Sequence, residues 1–101
     1  MKLLFICSGN KLRSPTAEKV FSDNYNTRSA GTSRNANHEV NIDDIKWADK
    51  IFVMEEKHKQ RMLSYFPRPL QFKNIEVLNI PDDFTYMQEE LINILNSKID
   101  L

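Results

Sequence analysis

A lone cysteine, Cys7, is followed after five intervening residues by Arg13 and then by Ser14-Pro15. Cys7 stands where the apolar run Leu3-Leu4-Phe5-Ile6 ends, and Pro15 suits the first turn of a helix, for which Ser14 would be the N-cap. The intervening Ser8-Gly9-Asn10-Lys11-Leu12 contains Gly9 and Asn10, the two residue types that adopt positive φ most easily. Such a turn between a strand and a helix can aim successive N–H groups inward as an anion nest, reinforced by the positive end of the helix dipole. Arg13 closes the loop and offers a planar fork of donors matched to two phosphate oxygens. The same positive field favours a thiolate at Cys7. A thiolate on the floor of a phosphate cradle is placed to attack phosphorus, which is nucleophilic catalysis. The plain alternative, a small buried Cys beside an ordinary turn, does not account for Arg and Ser at these spacings.

Breaking a phosphate ester also needs a proton for the leaving oxygen, and a carboxylic acid nearby supplies it. Asp82, just past an apolar run, is the first choice for this acid, and the adjacent Asp83 is the alternative. Asp is also a favoured helix cap, but Thr85 and Gln88 provide a capping box of their own for the helix that follows. His38 and His58 have no Cys or acidic cluster at ligand spacing, so they read as surface or helix-face residues, and no metal is assigned. Trp47, Met62, Tyr65 and Phe66 read as core, while Phe84 and Tyr86 are candidates for an aromatic wall at the cleft mouth.

These residues need a scaffold. The 101 residues suit one small domain, 1–101, and a hydrophobic share of 41% suffices for a core. Lys plus Arg equals Asp plus Glu, 14 against 14, so no global field points to nucleic acid or an anionic membrane as partner. Any anion site must therefore be local. The N-terminal apolar run is too short for a membrane span. One Cys excludes an internal disulfide and a cysteine-based zinc site, which makes the cytoplasm the expected location. Apolar runs at 3–7, 27–30, 51–54 and 75–80 read as strands, the first and third continuous, as in strands buried on both faces. Helical patterns fill 15–25, 43–48, 55–66 and 86–97. Alternating strands and helices imply an α/β fold: a four-stranded parallel sheet with helices on both faces, a flavodoxin-like three-layer sandwich. Ligands in such sheets bind beyond the carboxyl ends of the strands, so Cys7, Gly31, Glu55 and the turn at 81–83 should share one edge.

The segment Cys7-Ser8-Gly9-Asn10-Lys11-Leu12-Arg13-Ser14-Pro15-Thr16-Ala17-Glu18 resembles the N-terminal motif of the low-molecular-weight protein tyrosine phosphatases. Ser29-Ala30-Gly31-Thr32 resembles that family's second strand, and 48–55 its third strand with the acidic residue after it. The resemblance implies a phosphocysteine at Cys7, phosphate binding by the amides of Ser8 to Leu12 and by Arg13, a hydrogen bond from Ser14 to the thiolate, and a structural role for Asn10. It implies no cofactor, and a phosphorylated protein or small phosphate ester as partner. Three departures stand out. Leu12 occupies the place where the family often has a second Cys. Asp82-Asp83-Phe84 replaces the usual Asp-Pro-aromatic, and the chain is short between Thr32 and Trp47 and before the fourth strand. A phosphocarrier resembling the IIB components of sugar phosphotransferase systems is the competing reading, but it needs no Arg after five residues. An arsenate reductase needs further cysteines. A non-catalytic phosphate-binding module is the third possibility.

Overall fold

The computed structural model describes residues 1–101. Its elements alternate: β1 (Lys2–Cys7), α1 (Arg13–Phe21), β2 (Asn26–Gly31), α2 (Ile42–Trp47), β3 (Lys50–Val53), α3 (Glu56–Tyr65), β4 (Asn74–Val77) and α4 (Glu89–Lys98). The strands form one parallel sheet, as the patterning predicted, and their order is β2-β1-β3-β4. The chain leaves β1 for β2 on one side and then crosses β1 to reach β3 on the other. The loop after β1 therefore sits at the topological switch point, where open α/β sheets leave a crevice.

Side chains on a strand alternate between faces, and this divides the core in two. Leu3, Phe5, Cys7, Phe52 and Met54 pack with Ala17 of α1 and Leu91 and Leu95 of α4. Leu4, Ile6, Ala30, Ile51 and Val53 pack with Ile45 of α2 and Met62 of α3. Phe5 holds the first layer together, stacking on Phe52 at 5.4 Å and on Phe21 at 5.8 Å between ring centroids. Because β1 is covered on both faces, Cys7 at its end is 3% exposed, and its direction is fixed by the pleat.

Several local expectations are corrected. Ser14 is not the N-cap of α1; the helix begins one residue earlier, Leu12 precedes it, and the Ser14 hydroxyl turns into the core of the loop. Thr85 and Gln88 do not cap α4 as a box. The Gln88 side chain accepts from the Thr85 N–H at 3.0 Å, but Met87 has φ 59 and breaks the helical run, so α4 starts at Glu89. The cap at α2 is better formed: the Asn41 side chain accepts from the Asp44 N–H at 3.0 Å and the Asp44 carboxylate from the Asn41 N–H at 3.2 Å. Tyr65 is exposed, Trp47 and Phe66 are only partly buried, and Met62 is core. No helix is long and apolar enough to cross a membrane.

Candidate active site

The loop between β1 and α1 is held from one side. The backbone carbonyls of Cys7, Ser8 and Gly9 accept from the N–H groups of Thr32, Ser33 and Asn37 at 3.0, 3.0 and 3.1 Å. The Asn10 carbonyl accepts from the Asn37 side chain at 3.0 Å. Four successive carbonyls thus point at the segment after β2. The N–H groups of Ser8, Gly9, Asn10, Lys11 and Leu12 donate to no acceptor in the protein. Unpaired amides in a row are the anion nest expected of this loop.

Asn10 supplies the turn with φ 53, whereas neither glycine has a positive φ. Gly31 is needed for another reason: a Cβ there would run into the Ser8 carbonyl oxygen and the Ala36 methyl. Close approach of β2 to the loop, rather than backbone conformation, selects glycine at that position.

Below the loop lies a hydrogen-bonded network. Cys7 Sγ and Ser14 Oγ are 2.9 Å apart. The Asn10 amide donates to Ser14 Oγ at 3.0 Å and to Ser29 Oγ at 2.9 Å, and the Ser29 hydroxyl donates to Glu18 Oε1 at 2.5 Å. With Asn10 filling its acceptor side, Ser14 is left with its own proton, and Sγ is nearer than its other acceptor, the Ala30 carbonyl at 3.4 Å. The Ser14 hydroxyl is therefore a donor to the Cys7 sulfur. Thus Asn10 both shapes the turn and orients Ser14.

Arg13 is 2% exposed, and its guanidinium is anchored from behind. Nη1 donates to Glu55 Oε2 at 2.5 Å and to the Ile80 carbonyl at 2.7 Å. The hydrogen bond from Arg13 holds the Glu55 carboxyl below its ordinary titration range, burial opposing it more weakly. A buried cation pinned by a carboxylate and a carbonyl keeps its remaining N–H groups aimed one way. The cleft in front of them encloses about 120 Å³ and is lined by Cys7, Ser8, Gly9, Lys11, Leu12, Arg13 and Asp82. Residues predicted from motif and loop position therefore do meet. Asp82 Oδ1 is 3.8 Å from Arg13 Nε, while Asp83 is exposed and does not line the cleft. The aromatic wall is not formed. Phe84 is in the core, and Tyr86 lines a different groove with Pro15, Glu18 and Lys19. Leu12, 37% exposed, is the apolar side of the cleft.

Sequence reasoning missed His58, which is 1% exposed rather than on the surface. Its Nδ1 accepts from the Glu55 N–H at 3.0 Å, so the ring proton sits on Nε2 and is donated to Ser8 Oγ at 2.8 Å. The Ser8 hydroxyl proton is then free for an acceptor in the cleft. The spacing Glu55-x-x-His58 at the start of a helix, a reach-back cap, was the signal available. Burial chiefly, then the Arg13 charge, lowers the His58 pKa from 6.5 to about 4. The folded chain therefore resists protonation where the unfolded chain accepts it, and stability falls as pH drops from 6.5 toward about 4. Denaturant unfolding across that window should show a steeper loss in the parent chain than in His58→Asn, which removes the titrating ring. Equal slopes would contradict a neutral buried His58.

No protein-family model matches the chain, and no curated protein matches it. Solved structures do. A low-molecular-weight phosphotyrosine phosphatase from Vibrio cholerae superimposes with TM-score 0.77 at 21% identity over 97% of this chain and 91% of the other. The chain has the low-molecular-weight protein tyrosine phosphatase fold. The YwlE arginine phosphatase from Geobacillus stearothermophilus gives 0.75 at 20% identity, covering 94% and 88% of the two chains. A protein tyrosine phosphatase from Entamoeba histolytica, solved with Hepes in its active site, gives 0.69 at 27% identity over 96% and 88%.

Proposed function

We propose that this chain is a cysteine-dependent phosphatase that hydrolyses phosphate monoesters through a phosphocysteine at Cys7, with phosphotyrosine in proteins as its substrate class. One observation carries the reading: Cys7 shares a cleft with four loop residues whose amides are unpaired, Ser8, Gly9, Lys11 and Leu12, and with an Arg13 fork locked from behind. In this reading the amides and Arg13 hold the non-bridging oxygens, and the Cys7 thiolate attacks phosphorus opposite the ester oxygen. Asp82 gives its proton to the departing oxygen. Water then attacks the phosphocysteine, Asp82 takes a proton from it, and sulfur leaves as a thiolate stabilised by Ser14. Phosphate is released.

The aromatic ring of a phosphotyrosine can rest on Leu12, the apolar side of the cleft. The fold neighbours named for phosphotyrosine and arginine phosphatase activity support phosphatase chemistry on proteins. A phosphocarrier has no use for the anchored Arg13 or for an acid at the cleft, and a binding module has none for a nucleophile.

Hydrolysis of p-nitrophenyl phosphate tests the reading directly. Arg13→Lys keeps the charge but loses the planar fork, so turnover should fall by about 10²–10³, the loss seen when a transition-state donor is removed. A kinetically silent Arg13→Lys would mean the loop does not cradle the phosphoryl group.

A further inference from the structure

Ser8 lies on the wall between two clefts. One is the candidate active site; the other encloses about 270 Å³ and is lined by Ser8, Thr32, Lys57, His58 and Arg61, with no apolar residue among them. Thr32 is 5% exposed, yet its hydroxyl makes no hydrogen bond within the protein. No fully buried side-chain polar atom lacks a partner, so this hydroxyl is reached from the cleft and is free to pair with a group that enters it. Lys57 and Arg61 are four residues apart on α3 and so share one face of that helix, over the same cleft.

Lys57 is only loosely paired there, and Arg61 has no ion pair. The nearest carboxylate to Lys57 is Glu55 at 3.9 Å, and its Oε2 is already engaged by Arg13 at 2.5 Å. Arg61 has no ion pair and lies 6.0 Å over the Tyr65 ring. Glu56, the other acid at the start of α3, lines a separate cleft with Glu55, Lys57, Asn79 and Pro81. His58 spends its one proton on Ser8. What remains beside the active site is Arg61 without an ion pair, Lys57 with one long pair to a carboxylate shared with Arg13, and one hydroxyl open to the cleft.

We infer that this second cleft is an anion subsite for the substrate, binding an acidic side chain that flanks the phosphorylated residue of a peptide. The inference rests on the phosphatase reading for the identity of the ligand in the first cleft. It assigns Thr32, Lys57 and Arg61 to specificity: they touch the flanking group, not the reacting atoms.

The test compares binding of two phosphotyrosine peptides, identical except for Glu-Glu or Gln-Gln flanks, to the chain carrying Cys7→Ser. The acidic peptide should bind roughly tenfold tighter, the gain that two partly exposed ion pairs and a hydroxyl hydrogen bond supply together. Adding Lys57→Gln and Arg61→Gln should reduce the preference to within about twofold. A charge-matched pair on the opposite layer, Lys19→Gln with Lys98→Gln, should retain it, which separates a local site from net charge. Thr32→Val, which keeps shape and charge, should cost the acidic peptide alone about threefold. Equal affinity for both peptides, or a preference that survives loss of Lys57 and Arg61, overturns the subsite. Turnover of p-nitrophenyl phosphate by the parent chain is read separately. Its absence would remove the phosphatase reading while the peptide comparison still decides the subsite.

Discussion

Cys7→Ser should abolish turnover of p-nitrophenyl phosphate while leaving phosphate binding in place. The two outcomes separate because the residues that bind and the residue that attacks are different. Binding comes from the amides of residues 8–12, whose carbonyls are fixed by the segment after β2, and from Arg13, fixed by Glu55 and Ile80. None of these contacts uses the Cys7 sulfur. Attack does use it, and a serine hydroxyl has no base hydrogen-bonded to it: the only side-chain hydrogen-bond partner at this position is Ser14, itself a hydroxyl held by Asn10. Removing the nucleophile of a covalent mechanism costs on the order of 10⁴–10⁶ in rate. Isothermal titration with inorganic phosphate should give an affinity close to that of the parent chain. Residual turnover within about tenfold of the parent would eliminate phosphocysteine as the intermediate.

The loop and the sheet were legible because each is dictated locally. A continuous apolar strand, a turn with Gly9 and Asn10, and a helix opening at Ser14-Pro15 are neighbours in sequence, and their order leaves little freedom in three dimensions. Strand alternation with helices then restricts the topology, which is why the shared edge of Cys7, Gly31, Glu55 and Asp82 followed from pattern alone. What was not legible depends on distant partners. The carboxylate of Glu55 meets Arg13 across 42 positions, and His58 meets Ser8 across 50. Neither contact leaves a periodic trace. The polar surroundings of His58 in sequence, Glu55-Glu56-Lys57-His58-Lys59, resemble a solvated helix face, yet its side chain points back under the loop. The failed N-cap at Ser14 has the same origin: a hydroxyl suited to capping is claimed by Cys7 and Asn10 instead. Local preference lost to a functional network, as it does at strained or catalytic sites. Gly31 shows the converse, a glycine whose importance is visible in sequence but whose reason is a collision with a distant carbonyl.

The two aspartates after β4 differ in position, and their removal should differ in effect. Both are exposed, but Asp82 lines the cleft and reaches to 3.8 Å from the Arg13 fork, whereas the neighbouring Asp83 does neither. If Asp82 protonates the leaving oxygen, Asp82→Asn should slow hydrolysis of an alkyl or simple phenyl phosphate by about 10²–10⁴. An ester with an acidic phenol, such as p-nitrophenyl phosphate, departs with little help from a proton, so its loss should be much smaller. A plot of log kcat/KM against leaving-group pKa should therefore be shallow in the parent chain and steep in Asp82→Asn. Asp83→Asn keeps the cleft intact, and its plot should overlie that of the parent. The loss of a negative charge near Arg13 is common to any Asp82 substitution and would shift all esters together, so only the slope reports proton transfer. A steep slope in Asp83→Asn alone would move the role one residue along the chain. A steep slope in neither would leave Cys7 and its cradle without an acid, and the chemistry would then fit phosphoryl transfer between carriers better than hydrolysis.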